Sequence, residues 1–250
     1  MSFYNIEMKN QAALVTGGAK RIGKAISIFL AKSGYDIALH YNTSDKEVKE
    51  VKKEIEKIGQ KCLLVKCNFN NLTKVKGLIK KIKKELPRLS VLINNASIFE
   101  EGLFLNTKLS DLEKHFSVNL KAPFILSQEF AVVCKKGNII NILDTNITRK
   151  HSKYFAYTLS KKTLLEFTKM AAYDLAPNIR VNAIAPGPIL PPFGKDDRSL
   201  TLETLKIPLK HKGNLEDINL AIKYLIENNF VTGECLFVDG GKHLCHKLQT

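Results

Sequence analysis

The sequence has no long apolar run and no regular arrangement of cysteines. A stretch of about 18 apolar residues, the length that a membrane-spanning helix needs, does not occur. Residues 1–11 carry no apolar core of the kind found in signal peptides. The five cysteines are scattered, odd in number and without a C-x-x-C pair, which favours free thiols in a reducing compartment. We therefore expect a cytoplasmic protein without a membrane segment.

Acidic residues are also few, since 24 Asp and Glu stand against 39 Lys and Arg, for a net charge of +15. Much of the excess is lysine on predicted helix faces, and no zinc pattern, RNA-binding motif or recognition helix accompanies it. We predict a solvated, lysine-rich surface that helps to steer an anionic cofactor. Neither a nucleic-acid partner nor a metal site is predicted.

Short apolar runs alternate with amphipathic segments along the whole chain, without repeats or a linker. This alternation predicts a single α/β domain over residues 1–250, with a Rossmann-type, doubly wound parallel sheet of about seven strands and helices on both faces. An irregular stretch at 187–215 is the expected substrate loop, and a bend is expected at Pro123. The strands are predicted at 12–15, 35–41, 61–69, 90–94, 138–143, 180–185 and 234–238. The helices are predicted at 24–33, 45–58, 72–86, 109–134, 155–176 and 215–228.

A glycine-rich turn follows the first predicted strand. Gly17 and Gly18 allow a tight turn, and Gly23 lets the next helix pack close to the strand. The free N–H groups at the start of that helix would then face a pyrophosphate. The alternative is that these glycines serve only the sterics of a short strand-to-helix turn.

The end of the second strand carries no carboxylate before Asp45. Sites that prefer NAD tend to place an acidic residue there for the ribose 2′-OH, whereas a 2′-phosphate needs cations and hydroxyls. Arg21 and His40 therefore favour NADPH, although a solvated Arg21 and an ordinary polar His40 would also fit. The residues predicted around the 2′-phosphate are Lys20, Arg21, His40, Tyr41, Asn42 and Ser44.

Polar and aromatic residues follow the later strands, where ligands bind in sheets of this kind. Phe99 lies just beyond the fourth strand and could stack on a flat ring or simply pack in the core. Tyr157 and Lys161 are four apart, on one helical face. A nearby ammonium and a nicotinamide would lower the pKa of the phenol, which could then deliver a proton where hydride addition leaves negative charge.

Several motifs together resemble the short-chain dehydrogenase/reductase family. They are Thr16-Gly-x3-Arg-Ile-Gly23, Asn94-Asn95-Ala96, Asn119, Tyr157-x3-Lys161, Pro186-Gly187, Val231-Thr232-Gly233 and Val238-Asp239-Gly240-Gly241. The resemblance covers nearly the whole chain and implies an enzyme that binds NAD(P)(H). It also implies that Asn119 supports a water-mediated proton relay to Lys161. The further cofactor contacts expected are Gly17, Ile22, Gly23, Asn68, Phe69, Asn95, Ala96, Ser97, Tyr157, Lys161, Pro186, Gly187, Pro188 and Ile189.

One departure from the family pattern narrows the expected substrate. The family's usual catalytic serine lies thirteen positions before the tyrosine, and here that position is Asp144. Together with Arg21, His40-Tyr41-x-x-Ser44, Ser97 and Phe99, it resembles the pteridine reductase branch, which includes bacterial dihydromonapterin reductases. The resemblance implies that Phe99 stacks on a pterin, that Ser97 contacts both cofactor and substrate, and that Asp144 and Tyr157 supply protons. Another departure is Asn68, where the family usually has Asp; its amide oxygen can still accept from an adenine amino group.

We therefore predict an NADPH-dependent reductase of a dihydropterin-like heterocycle. The first alternative is a reductase of a carbonyl compound such as a 3-oxoacyl thioester, and the second is a protein that binds NADPH as a regulatory ligand without turnover. The resemblance further implies a homotetramer assembled through the helices at 109–134 and 155–176, with the tail at 243–250 reaching a neighbouring subunit.

Overall fold

A computed structural model describes residues 11–149, 153–191 and 197–245 of the chain. The strands are β1 Ala12–Val15, β2 Asp36–Tyr41, β3 Cys62–Lys66, β4 Leu89–Asn94, β5 Gly137–Ile142, β6 Ile179–Pro186 and β7 Cys235–Val238. They form one parallel sheet in the order β3-β2-β1-β4-β5-β6-β7. The predicted seven-stranded, Rossmann-like α/β domain is confirmed.

Helices connect successive strands and cover both faces of the sheet. They are α1 Arg21–Lys32, α2 Asp45–Ile58, α3 Leu72–Val75, α4 Leu78–Glu85, α5 Leu109–Phe116, α6 Ala122–Cys134, α7 Phe155–Leu175, α8 Asp197–Thr204 and α9 Leu215–Glu227. A π-helical turn, Ser117–Lys121, joins α5 to α6. Short 3-10 turns lie at Phe104–Asn106, Thr145–Thr148 and Lys242–Leu244.

The core consists of two main apolar layers, one on each face of the sheet. Successive side chains of a strand point to opposite faces, so Ala13 and Val15 of β1 pack in the layer under α1, α2 and α9. Their neighbours Ala12 and Leu14 pack in the layer under α4, α6 and the end of α7. This two-sided burial explains why the strands are apolar runs without polar alternation.

Three predicted elements need correction. The helix expected at 72–86 is broken, because Gly77 adopts a left-handed backbone conformation (φ 79°) and Glu129 accepts hydrogen bonds from the Gly77 and Ile79 N–H groups. The helix expected at 109–134 is interrupted by the π-helical turn Ser117–Lys121, and Pro123 follows that turn in the first turn of α6. In the stretch at 187–215, residues 192–196 lie outside the described residues, and the described part is not wholly irregular, since it contains α8.

The first helix begins at Arg21, three residues earlier than predicted, directly on the glycine turn. Its end is as expected, because Gly34 follows the helix with a φ of 93° and its N–H bonds back to the Ala31 carbonyl. In the part of the chain that the structure describes, no helix combines the length and the apolar character needed to cross a membrane.

Candidate active site

The sheet order changes direction at β1, which pairs with β2 on one side and with β4 on the other. A crevice therefore opens beyond the carboxyl ends of β1 and β4, the place where sheets of this type bind ligands. The same edge carries the glycine turn after β1, residues 95–99 after β4, Asp144 after β5 and Gly187 after β6. The topology thus gathers the predicted site residues at one edge of the sheet.

The glycine turn is shaped for close approach by a ligand. Gly17 has a φ of 63°, a Cβ on Gly23 would collide with the Gly17 carbonyl oxygen, and a Cβ on Gly18 would lie 2.9 Å from Ser27 Oγ. Lys20 makes no side-chain cap at the start of α1, and the first helical turn holds no acidic residue. This arrangement fits a pyrophosphate at the helix N-terminus. The sequence predicts that Gly23 lets the helix pack close to the strand. In the structure the lack of a Cβ on Gly23 matters for packing against the glycine turn itself.

Thr16 and Asn95 hold the glycine turn against the end of β4. Thr16 Oγ1 accepts hydrogen bonds from the backbone N–H groups of Asn95 and Ala96, both at 2.9 Å. The Asn95 side-chain amide donates to the carbonyl oxygens of Thr16 at 2.8 Å and of Gly17 at 3.2 Å. The Asn95 side chain therefore fixes the shape of the turn, and its predicted contact with the cofactor remains a prediction.

His40 is placed differently from the prediction. It is 2% exposed, its Nδ1 accepts from the Gly17 N–H at 3.1 Å, and its Nε2 bonds to the Cys67 carbonyl oxygen at 3.0 Å. Its ring stacks on Phe69 with centroids 4.0 Å apart. Burial lowers the pKa of His40 to about 4, although the bond to Cys67 opposes the shift. His40 is therefore a neutral internal link between strands, not a cation for a 2′-phosphate, and the Phe69 side chain packs on it instead of lining the crevice.

The two basic side chains predicted for the 2′-phosphate already have protein partners. Arg21 donates from Nη2 to the Pro191 carbonyl oxygen at 2.6 Å, which ties the glycine turn to the stretch after β6. Lys20 forms an exposed ion pair of 2.8 Å with Glu47. On the adenine side, Asn68 is exposed and its Oδ1 accepts from the Asn70 N–H at 2.9 Å.

Tyr41, Asn42 and Ser44 lie at the carboxyl end of β2, where the sequence predicts them. Asn42 is exposed, and the other two residues are partly buried. Ile22 is partly buried in the first turn of α1, while Pro186, Pro188 and Ile189 are buried around Gly187 at the end of β6. Their contacts with a cofactor remain predictions.

Asp144 and Tyr157 form the central contact of the site. The Tyr157 hydroxyl donates to Asp144 Oδ2 at 2.9 Å, and Asp144 Oδ1 accepts from the Asn146 N–H at 2.7 Å. The Lys161 ammonium donates to the Ile142 carbonyl oxygen at 2.7 Å and lies 5.9 Å from the centre of the Tyr157 ring. The predicted carboxylate, phenol and ammonium thus come together in one cluster.

The protonation of Tyr157 needs correction. Burial raises the pKa of the Tyr157 phenol well above its usual value, and the charge and hydrogen bond of Asp144 raise it further. The sequence predicts a lowered pKa from the Lys161 ammonium together with a nicotinamide. In the protein itself Lys161 bonds to the Ile142 carbonyl oxygen and the Asp144 carboxylate bonds directly to the phenol, so the ammonium alone does not lower that pKa. Burial lowers the pKa of Lys161 to about 8, which the charge of Asp144 partly opposes. The phenol is therefore a proton donor in this structure.

Asn119 lies in the π-helical turn, with its side-chain amide fully used by the protein. Its Oδ1 accepts from Ser97 Oγ at 3.1 Å and from the Ile98 N–H at 2.9 Å. Its Nδ2 donates to the Ile98 carbonyl oxygen at 3.1 Å and to Ser160 Oγ at 3.0 Å. The π turn thus holds the loop after β4 against α7. The relay to Lys161 and the contacts of Ser97 with cofactor and substrate remain predictions.

Phe99 stands over the catalytic cluster with an aromatic neighbour that the sequence analysis missed. Its ring meets the Tyr157 ring nearly at a right angle, with centroids 4.7 Å apart, and stacks on Tyr154 at 4.0 Å. Phe99 is 41% exposed, which argues against simple core packing. Tyr154 lies three residues before Tyr157 but just outside α7, with a backbone (φ −117°, ψ 59°) that is not helical, so helical spacing gives no sign of it.

Comparisons with known proteins agree with this fold. A family model described as Enoyl-(Acyl carrier protein) reductase matches residues 17–243. A crystal structure of FolM alternative dihydrofolate reductase 1 from Brucella canis, complexed with NADP, is 36% identical, with a TM-score of 0.88 and coverage of 94% of this chain and 95% of that one. The corresponding Brucella suis protein in complex with NADP is 35% identical, with a TM-score of 0.90 and coverage of 95% and 97%. The 3-oxoacyl-[acyl-carrier-protein] reductase FabG of Staphylococcus epidermidis is 30% identical over 94% of this chain and 100% of its own.

The chain belongs to the short-chain dehydrogenase/reductase family. It is therefore an oxidoreductase of the NAD(P)-dependent type, and the predicted family and nicotinamide cofactor are confirmed at that level. Relatives named for different activities match along nearly the whole chain, so the substrate has to be inferred from the site.

Proposed function

We propose that this protein is an NADPH-dependent reductase of a dihydropterin-like heterocycle. The observation that carries the proposal is the hydrogen bond between the Tyr157 hydroxyl and the Asp144 carboxylate, 2.9 Å long, beside a Phe99 ring that contacts the Tyr157 ring. A carboxylate at this position can hold and pass on a proton, which a serine hydroxyl at the same position does far less readily.

The pair suits the reduction of a carbon–nitrogen double bond. NADPH supplies the hydride that the ring carbon receives, and the neighbouring ring nitrogen must take up one proton. The Tyr157 hydroxyl can deliver that proton, and a protonated Asp144 can return one to the phenolate that is left. Water then restores the proton on Asp144, so that each turnover consumes one proton and one hydride.

The protonation state of Asp144 determines whether this transfer is favourable. When Asp144 is ionised, loss of the Tyr157 proton would leave two anions in direct contact, which is costly in a buried site. When Asp144 is protonated, the transfer leaves one negative charge near the Lys161 ammonium. The proton transfer is therefore favourable when the Asp144–Tyr157 pair holds both protons.

The surroundings of the pair fit a flat ring. Phe99 is the exposed aromatic side chain next to Tyr157 and offers a surface for stacking. Tyr154 covers one face of it in this structure, so the substrate would use the other face or displace Tyr154. Two of the similar crystal structures are of proteins described as alternative dihydrofolate reductases bound to NADP, and dihydrofolate carries a pterin ring.

The preference for NADPH is assigned to Arg21. This guanidinium is exposed at the glycine turn, and no carboxylate stands at the end of β2 to repel a 2′-phosphate. With His40 buried and neutral, Arg21 is the cation best placed for that group. Binding would require it to exchange or share its hydrogen bond to Pro191.

Reduction of a 3-oxoacyl thioester is the second candidate. The FabG relatives, at 30% identity over nearly the full chain, favour it. It requires only that a hydroxyl or carboxyl group orient a substrate carbonyl while Tyr157 supplies the proton. Asp144 supports the first candidate over the second, because a carbonyl substrate gains nothing from a second ionisable group at this position.

We also propose a role for the stretch at 187–215, an oligomeric state and a cellular location. The stretch at 187–215 would contact substrate, consistent with its link to the glycine turn through Pro191. A homotetramer would cover exposed apolar side chains on α6 and α7, among them Phe124, Met170 and Tyr173, and light scattering would measure its mass. A cytoplasmic location agrees with five free cysteines.

The experiment that tests the proposed function is Asp144→Ser, assayed with a dihydropterin and with an acetoacetyl thioester. We expect kcat for the dihydropterin to fall by about a hundredfold or more, the size typical of a lost general acid, and thioester reduction to be kept or improved. Asp174→Ser, which changes an exposed aspartate on α7, is the matched control. Equal losses on both substrates would show that Asp144 has no specific role in protonating a ring nitrogen.

A further inference from the structure

Asp239, directly after β7, has a buried carboxylate that the proposed mechanism does not use. Its side chain is 1% exposed. Oδ2 accepts from the Thr145 hydroxyl at 2.6 Å and from the His243 N–H at 2.7 Å, and Oδ1 accepts from the Gly241 N–H at 3.0 Å. His243 Nδ1 lies 3.0 Å from both carboxylate oxygens. All of these partners except Thr145 belong to the same C-terminal turn.

Thr145 is the residue that follows Asp144. It begins the 3-10 turn Thr145–Thr148, which Asp144 caps by accepting from the Asn146 N–H. The other hydroxyl in the turn, that of Thr148, bonds back to the Thr145 carbonyl oxygen at 3.1 Å and stays within the turn. The Thr145 hydroxyl therefore ties the turn that presents Asp144 to a carboxylate 94 residues away.

The C-terminal turn is itself fixed. The His243 ring stacks on Phe237 of β7, with centroids 4.2 Å apart, and closes over the Asp239 carboxylate. On its other side Asp239 lies against Gly187, where a Cβ would come within 2.5 Å of the Asp239 Cα and Cβ. Burial raises the pKa of Asp239, but hydrogen bonds from Thr145 and His243 outweigh it, so that the pKa is lowered and the carboxylate stays charged.

We propose that Asp239, held by His243, is a positioning residue that sets the Asp144 carboxylate against Tyr157 by way of the Thr145 hydroxyl. The inference deepens the proposed function and rests on the proton-transfer role given there to Asp144. Removal of the Thr145 hydroxyl breaks the hydrogen bond that joins the turn to Asp239. The Asp144 carboxylate then loses its fixed distance to the phenol, while the cofactor turn after β1 is untouched.

The test compares Thr145→Val with Thr148→Val, the same change within one turn, in the full-length protein. NMR of 13C-labelled aspartate carboxyls follows the titration of Asp144, which is assigned by its loss in Asp144→Asn; Tyr157 and Lys161 are the titratable groups nearest to it. We expect Thr145→Val to shift the midpoint of the Asp144 titration and Thr148→Val to leave it in place. With a reducible substrate, kcat should fall on the order of tenfold to a hundredfold, as for a misplaced catalytic group, with the NADPH Kd within about twofold of wild type.

Two further variants separate positioning from general damage. Thr145→Ser keeps the hydroxyl and should restore both the titration and kcat. The double variant Asp239→Asn with Thr145→Val should have a kcat no lower than that of the poorer single variant, because both substitutions act on the same Thr145–Asp239 hydrogen bond. An unshifted Asp144 midpoint in Thr145→Val, or a failure of Thr145→Ser to restore it, would overturn the inference. The proposed function has its own test: it fails if the wild-type protein reduces no dihydropterin. The NMR titration needs no substrate and does not depend on that result.

Discussion

The burial of His40 leads to a quantitative prediction about stability and pH. The imidazole pKa is lowered from 6.5 to about 4 in the folded protein, and both ring nitrogens have protein partners. Above pH 6.5 the group is neutral in the folded and unfolded chains. Between pH 6.5 and about 4 only the unfolded chain takes up the proton, so stability falls with pH by about 1.4 kcal/mol per unit. The total loss is on the order of 3 kcal/mol, and this group adds no further loss below pH 4.

The perturbation is His40→Asn, which keeps an acceptor near the Gly17 N–H and removes the titration. The variant should be less stable than wild type at pH 7.5, because the bond to Cys67 and the stacking on Phe69 are lost. That difference in the free energy of unfolding should shrink by about 3 kcal/mol as the pH falls to 4.

The assay is urea unfolding followed by circular dichroism at several pH values. Protein concentration is held constant, since any subunit association also contributes to stability. His211→Asn is the control, because His211 is exposed and its replacement should leave the pH dependence of wild type unchanged. A stability difference between wild type and His40→Asn that stays constant from pH 7.5 to 4 would show that His40 titrates normally and would refute the reasoning.

Three other substitutions test separate parts of the site. Tyr157→Phe should lower kcat by about a hundredfold or more while the NADPH Kd stays within about twofold; a lost affinity in fluorescence titration would contradict the role of proton donor. Arg21→Ala should weaken NADPH far more than NADH, with Lys24→Ala as control, and equal losses for both cofactors would mean that Arg21 does not bind the 2′-phosphate. Gly23→Ala should abolish binding of either cofactor, because its Cβ would collide with the Gly17 carbonyl oxygen; calorimetry showing normal binding would mean that the turn yields easily.

The sheet and most helix ends could be predicted because their signals are local. Apolar runs of four to eight residues mark buried strands, and glycine or proline marks where helices stop. Gly34 after α1 and Gly59 after α2 both adopt the left-handed conformation expected of residues just beyond a helix. The sequence also predicts the cluster of Tyr157, Lys161 and Asp144. Helical spacing puts the first two on one face of a helix, and the carboxyl ends of parallel strands, where Asp144 lies, share one edge of the sheet.

The features that could not be predicted depend on contacts between distant residues. Nothing near His40 in the sequence shows that its ring is buried between Gly17 and the Cys67 carbonyl. The pKa of Tyr157 is raised first by burial and then by the charge and direct hydrogen bond of Asp144, whereas the spacing to Lys161 suggests the opposite direction.

Irregularities inside helices were missed for the same reason. Asn119 lies in a π turn, and its side chain bonds to Ser97, Ile98 and Ser160, none of which is near it in the sequence. The break at Gly77 depends on capping by Glu129 from α6. A helix-period pattern continues through both places, so the apolar spacing gives no sign of either interruption.

The most direct test of the account is NADPH oxidation by the wild-type protein with 7,8-dihydrobiopterin, dihydromonapterin and dihydrofolate, measured beside acetoacetyl thioesters. The account predicts turnover with at least one dihydropterin and little or none with the thioesters. Turnover with the thioesters alone would contradict it, since Asp144 would then be a tolerated replacement of the serine in an ordinary carbonyl reductase.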